Sequence, residues 1–346
     1  VSTPALHTLV DFFNATGLRY KAYDLGARIQ LLAKDTFVGF ESGLTPYPAP
    51  YLGKANLGLV LWREGDAQAP QIWFLRFALD EQGKLAPAER DSFLRQLLIS
   101  VGENLDAASE GGKLKGVLDN NPYVWEPAEP LRAAFHAKLT HRLKLAPSAH
   151  YPDALHYLTQ GPWDYWQALG LQGLADLVVR WQQTDVHKAF KASLGQLPDA
   201  VLANLAPLFE HEAIDAALTQ CWIERLDSAR KANQPGQATA CLRAIASSEA
   251  RGMVNAVIEQ LLASPQLDAE TLVTLATRHN QAISQPELTL PYLEQIAQLD
   301  TSAFNRIMAE LLFNASLRPA WLAAFRDPHR SERLAQAIGA LLGSNN

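Results

Sequence analysis

At 346 residues, 48% hydrophobic and 19% charged, the sequence has a globular balance and enough length for two cores, since one core rarely grows past about 250–300 residues. A formal net charge of −6 tells against a protein built mainly to coat nucleic acid, and neither residues 1–181 nor 182–346 hold more Lys and Arg than Asp and Glu. Two cysteines, Cys221 and Cys241, are too few and too far apart for a disulfide scaffold or a CxxC site, so both are expected as buried small apolar residues.

The opening stretch "VSTPALHTLVDFF" has no basic start and its apolar residues are spaced, which does not fit a secretory signal. No run approaches the ~18 apolar residues of a membrane span, so a soluble, cytoplasmic protein is expected. The same stretch reads as a helix. Thr3 is placed to cap it, Pro4 suits the first position, Leu6, Leu9, Val10 and Phe13 fall on one face, and Gly17 ends it. "RYKAYDL" and "RIQLLA" follow as short strands split by Gly26, and then a loop rich in Pro, Tyr and Gly, "ESGLTPYPAPYLGKANL". "LGLVLW" and "IWFLRFAL" flank the polar "REGDAQAPQ" and predict an antiparallel pair. A helix after Pro87 has Glu89 and Asp91 in its first turn and a stripe of Phe93, Leu94, Leu97, Leu98 and Val101. Residues 106–130 read as an irregular loop. Trp163, Trp166 and Trp181 then crowd two helical segments, suggesting a domain junction or a large local core.

From about residue 184 strand signals stop. Helix starts are expected near Asp199, Pro235, Asp268 and Thr301, with partner helices near Glu212, Ser248, Pro286 and Arg318. A helix-pair period in the mid-thirties predicts an irregular HEAT-like α-solenoid, and an irregular helical bundle is the plainer alternative.

Chemical motifs are sparse. His136 and His141 are five apart, off the i, i+4 spacing of a zincin helix, and no GxSxG, GxxxxGK[ST] or GxGxxG occurs. "FEHEAID" offers Glu210, His211, Glu212 and Asp215, but acids near a helix start are what the helix dipole favours. No catalytic residue, metal ligand or cofactor is therefore expected. Two aromatic loops are candidate binding surfaces: Tyr47 and Tyr51 in "YPAPYLG", and Tyr123 and Trp125 in "NNPYVWEP". The competing expectation is that their rings fold back onto the sheet. Arg76 shares one strand face with Ile72, Phe74 and Ala78, opposite the apolar Trp73, Leu75, Phe77 and Leu79. It reads either as a structural arginine meeting a carboxylate such as Asp24 or Glu41, or as a ligand-facing one. Arg28 is the second arginine considered for a cleft.

"YKAYDLGARI" (Tyr20 to Ile29), "PYPAPY" (Pro46 to Tyr51) and "IWFLRFALDEQGKL" (Ile72 to Leu85) together resemble a bacterial family of uncharacterised proteins classed only as a domain of unknown function. The resemblance spans both halves and implies no activity, cofactor or site residue. The expected architecture is an α+β domain over residues 1–146 with a small antiparallel sheet, followed by an all-α HEAT-like solenoid over 147–346. The expected function is a non-enzymatic protein–protein interaction or adaptor role. An enzyme or small-ligand binder with a cleft between the sheet and the Trp-rich helices is the alternative. Nucleic-acid binding comes third, since it requires a stripe assembled from Arg225, Arg230, Lys231, Arg243 and Arg251.

Overall fold

The computed structural model describes residues 7–65, 70–102, 118, 120–161 and 163–343. Val1–Pro127 lie in a first compact unit, and Ala128–Leu312 with Ser316–Asn346 in a second. The division falls ahead of the 146/147 boundary expected from the sequence, because the helix at 129–142 packs on later helices of the second unit.

The first unit runs α1 (Leu9–Ala15), β1 (Leu18–Asp24), β2 (Gln30–Leu31), α2 (Lys34–Glu41), β3 (Lys54–Arg63), β4 (Gln71–Ala78) and α3 (Pro87–Gly102). The four strands among its described residues form one antiparallel sheet in the order β2-β1-β3-β4, in which β3 and β4 are the antiparallel pair expected from "LGLVLW" and "IWFLRFAL". Leu57, Leu59 and Leu61 of β3 and Trp73, Leu75 and Phe77 of β4 share one face and form the core with Phe12, Phe13, Phe37, Phe40 and Phe93. Burying each such side chain contributes about 1.5–3 kcal/mol. The opposite face is half-buried along β4 at Ile72, Phe74 and Arg76, and buried at Tyr23, Asn56 and Val60.

Several local expectations change. The cap at Thr3 and the start at Pro4 lie outside the described residues. Within them, Thr8 caps α1, accepting from Asp11 N while the Asp11 side chain accepts from Thr8 N. Leu9 and Phe13 are buried as expected, Phe12 is buried with them, and Val10 is only half-buried. Helix α2 had no strong periodic signal over its eight residues. Leu98 of the α3 stripe is exposed, while Phe93, Leu94 and Leu97 are buried; the side chain of Val101 lies outside the described residues.

Every element among the described residues of the second unit is a helix or a 3-10 turn. It contains α4 (Glu129–Arg142), α5 (Tyr151–Gln160), a 3-10 turn (Trp163–Ala168), α6 (Leu171–Val178), α7 (Thr184–Ser193), α8 (Asp199–Phe209) and α9 (Ala216–Lys231). It continues through α10 (Pro235–Ala244), α11 (Arg251–Leu262), α12 (Ala269–Arg278), α13 (Asn280–Ile283), α14 (Pro286–Ile296), α15 (Thr301–Phe313), α16 (Arg318–Ala324) and α17 (Glu332–Gly343). Helices begin at or within a few residues of every start read from the sequence, and Asp268 and Asp215 act as N-caps of α12 and α9. Two rows of neighbours recur: α4, α6, α8, α10 and α12 each contact the next, and so do α5, α7, α9, α11 and α14. Of the three crowded tryptophans only Trp181 is buried. Cys241 is buried but Cys221 is half-buried, because α9 turns it away from its fully buried positions Leu218, Thr219 and Trp222. No helix among the described residues is long and apolar enough to cross a membrane.

One carboxylate ties α2 to α1. Glu41, the last residue of α2, is 2% exposed and accepts from Leu9 N at 2.8 Å and Val10 N at 3.1 Å. These are orphan donors at the start of α1, and burial pushes the Glu41 carboxyl up to about 7. Glu41→Ala should cost about 1–2 kcal/mol through lost capping. Hydrogen exchange should quicken at Leu9 and Val10 while the amides of β3 and β4 stay protected.

Candidate functional site

The sheet end of the first unit gathers most of the polar side chains singled out in the sequence. Asn56 on β3 is directly paired with Arg76 on β4, and its side-chain oxygen accepts from Arg76 Nε at 2.7 Å. The backbone oxygen of Asn56 accepts from Leu25 N at 2.8 Å and from the Tyr47 hydroxyl at 3.2 Å. The same hydroxyl donates to Asp24 Oδ1 at 2.6 Å, and Gly26 N donates to that oxygen at 3.2 Å. A chain of polar contacts thus runs Asp24–Tyr47–Asn56–Arg76.

Trp125 closes the far end. The segment around it lies along the outer edge of β4, where Arg76 N donates to Tyr123 O at 2.8 Å and Trp125 N to Phe74 O at 3.2 Å. These bonds cover part of an edge strand that would otherwise present unpaired backbone. The Trp125 ring then lies under the Arg76 guanidinium, 4.0 Å from its centroid, and its Nε1 donates to Leu75 O at 3.1 Å. Such a cation–π contact contributes about 0.5–2 kcal/mol.

The six residues proposed for binding therefore separate. Tyr47 is a core residue, 3% exposed with its ring 4.8 Å from Phe40, and so is corrected from an exposed loop aromatic to an interior hydrogen-bond donor. Tyr123 stacks on Phe77 at 5.3 Å and meets Phe93 edge-on at 5.7 Å, so its ring folds back onto the sheet. Tyr51 is half-buried and packs over Gly26, where an added Cβ would come within 3.0 Å of the Tyr51 Cβ. Arg28 is half-buried in the segment between β1 and β2. Arg76 and Trp125 remain as a half-exposed pair. Asn56 was not foreseen, because one Asn inside an apolar strand looks like any other until the register shows what it faces.

The carboxylate partners expected for Arg76 are also corrected. Asp24 is engaged by Tyr47 and Gly26, and Glu41 caps α1. Among the described residues no Asp or Glu forms an ion pair with Arg76. Burial lowers the Arg76 pKa, and burial raises Asp24 to about 7 against the opposing hydrogen bonds from Tyr47, Gly26 and Leu25.

A second polar cluster sits inside the helical unit, built on "FEHE". Glu210, at the C-terminal end of α8, accepts from Arg243 Nε at 2.8 Å and Nη2 at 3.1 Å, and from Arg278 Nε at 3.0 Å. The two arginines come from the last turns of α10 and α12. Glu212 accepts from Lys138 of α4 at 2.6 Å, and Asp215 faces His187 Nε2 at 2.9 Å while capping α9. His211 is buried, with neither ring nitrogen hydrogen-bonded among the described residues. Burial pushes its imidazole down to about 4, so it is neutral near pH 7. Burial works against the Glu210 carboxylate too, but the guanidinium groups of Arg278 and Arg243 outweigh it and hold that carboxyl below its usual range. Arg225 likewise pairs with Asp199 at 2.8 Å, so both it and Arg243 of the candidate basic stripe are engaged by carboxylates. Among the described residues no group of three or more His, Cys, Asp or Glu is placed to hold a metal ion.

A family model described as "protein of unknown function (DUF3549)" matches residues 4–342. No curated protein and no solved structure matches the chain.

The two clusters give opposite pH responses. Asp24 has a folded pKa raised above its unfolded value, so its stabilisation is complete below about pH 4 and is lost as pH rises through about 7. His211 has a folded pKa lowered to about 4, so its contribution is present above about pH 6.5 and is lost as pH falls toward 4. Between pH 7 and 5, hydrogen exchange corrected for intrinsic rate should slow around β1 and β3 and quicken around α8 and α10. Asp24→Asn should flatten the first trend and His211→Phe the second. Glu210→Ala, which strands two arginines, should cost the helical unit about 3–5 kcal/mol. Glu64→Ala, at an exposed pair with Arg19, should cost under about 0.5 kcal/mol.

Proposed function

The chain belongs to the DUF3549 family, and from its own geometry we propose that it is a non-enzymatic interaction protein whose helical unit is an irregular HEAT-like α-solenoid presenting a surface to a protein partner. The observation that carries this reading is the repeated adjacency of helices, α8 on α10 on α12 in one row and α7 on α9 on α11 in the other. Successive members start at Asp199, Pro235 and Ala269, so each hairpin meets its sequence neighbours, the arrangement of a quasi-one-dimensional array.

Two polar rungs support it at equivalent places in successive hairpins. Thr239 of α10 and Thr271 of α12 meet through their hydroxyls at 3.1 Å, both buried. Glu210, Arg243 and Arg278 stand at the C-terminal ends of α8, α10 and α12 and join all three. Arrays of this kind offer long surfaces to protein partners, and a cytoplasmic setting suits the reduced cysteines.

Trp321 provides the architectural test. It is fully buried in α16, 6.0 Å from the ring of Tyr292 in α14. In an array, Trp321→Ala should raise hydrogen exchange through α14–α17 and leave α4–α8 protected. Loss of protection across the whole unit would mean a single shared core, and the array reading would fall. For the partner, a photo-crosslinking residue at Val273, an exposed apolar position on α12, should capture one protein in near-stoichiometric yield from native cells. Val273→Asp should weaken co-purification of that protein about tenfold or more. Capture of a scattered set unaffected by the substitution would remove the adaptor reading.

A further inference from the structure

We propose that Arg76 is a seat for the carboxylate group of a ligand, with the Trp125 ring as its floor and Asn56 as the residue that sets its angle. The site lies in the first unit and does not rest on the helical-array reading.

The first observation is how the guanidinium is held. Nε donates to Asn56 Oδ1 at 2.7 Å, and one face of the plane lies over Trp125 at 4.0 Å. Both contacts fix orientation and leave the paired Nη1 and Nη2 donors at the far end. Among the described residues neither nitrogen has a hydrogen-bond or ion-pair partner, and neither is a buried unsatisfied atom. A planar fork held at its base and open at its tip matches a carboxylate through two parallel N–H···O bonds.

The second observation is the choice of holder. Asn56 is 3% exposed on the central strand, a position where burying an amide has a cost of its own. An Asp there would also orient Arg76, but it would cancel the positive charge. The amide orients the arginine and leaves the charge uncompensated. The two buried carboxyls among this unit's described residues are committed elsewhere, Asp24 to Tyr47 and Gly26, and Glu41 to the start of α1.

The third observation bears on ligand class. Ile72 and Phe74, on the same strand face as Arg76, are half-buried and apolar. Lys54, an exposed lysine at the start of β3, stands on that face opposite Ala78, and the next cation beyond it, Lys21, is opposite Val60, which pairs with Ile72. Four residues of strand put that row about 13 Å from Arg76. One fixed cation on an aromatic floor suits a carboxylate carried on an apolar or aromatic body.

The test uses the full chain labelled with 15N-arginine and follows the Arg76 Nε–Hε resonance during titration with sodium benzoate at constant ionic strength. A phenylalanine-terminated peptide, with its C-terminus free or amidated, forms a second arm. The expected result is a saturable shift with a millimolar-range dissociation constant for benzoate, for the free-acid peptide, or for both. Tighter binding of the free-acid peptide would identify a chain terminus as the source, and tighter binding of benzoate a small acid. Trp125→Ala should weaken binding several-fold. Arg76→Lys keeps the charge but loses the fork, and should weaken it about tenfold, as read by benzoate line broadening on that variant. If neither probe saturates by about 50 mM, or if Arg76→Lys binds as well as the native chain with its circular dichroism unchanged, the proposal is overturned.

Discussion

The first unit is organised around the requirement that a buried amide be satisfied. Asn56 stands on the central strand with apolar neighbours before and after it, where an unpaired side-chain amide costs on the order of 1–3 kcal/mol. Its side-chain oxygen is met by Arg76 and its backbone oxygen by Tyr47 and Leu25. Each of those partners carries a further consequence. Tyr47 brings the Pro- and Tyr-rich loop into the core and holds Asp24, while Arg76 brings Trp125 and the 121–125 segment against the edge of β4. The orientation of one guanidinium therefore follows from a single polar side chain in an apolar strand, while the loop and the edge segment are also held through backbone groups that any residue there would offer.

The helical unit solves a similar problem with charge. Burying Glu210 without partners would be prohibitive, and three successive helices share the solution by sending Arg243 and Arg278 to one carboxylate. Such a cluster gives little net stability over an apolar core of the same volume, but it is specific, because only one alignment of α8, α10 and α12 brings the three ends together. Thr239 and Thr271 repeat the logic without charge. Helices α8, α10 and α12 are thereby held in register by polar contacts inside an apolar packing that would otherwise tolerate sliding.

Much of the secondary structure was legible because periodicity and punctuation are local. Ala238, Cys241, Leu242 and Ile245 mark a helix face without any knowledge of what it packs against, and Asp268 announces a cap three residues before the amide it accepts from. The strand faces of β4 were equally plain from alternation. Helix α2 was not, since eight residues with Gly39 among them carry too few turns for a period to stand out. Leu98 and Cys221 failed for a related reason: a helical face has a graded edge, and where burial stops depends on what lies beside it.

The site separates the two kinds of information most clearly. From its residues alone the sequence determined that Arg76 sits on the mixed face of a mostly apolar strand, that the two loops carry large rings, and that helices repeat at intervals in the mid-thirties. Those are properties of spacing along the chain, and alternation and turn chemistry read them directly. Tertiary structure alone decided that Arg76 meets an amide rather than Asp24 or Glu41, that Tyr47 points inward while Trp125 lies under the guanidinium, and that Glu210 is shared by two arginines from later helices. Those choices depend on strand register and helix packing between residues twenty to seventy positions apart, and hydrogen-bond partners at such separations leave no periodic trace in the sequence.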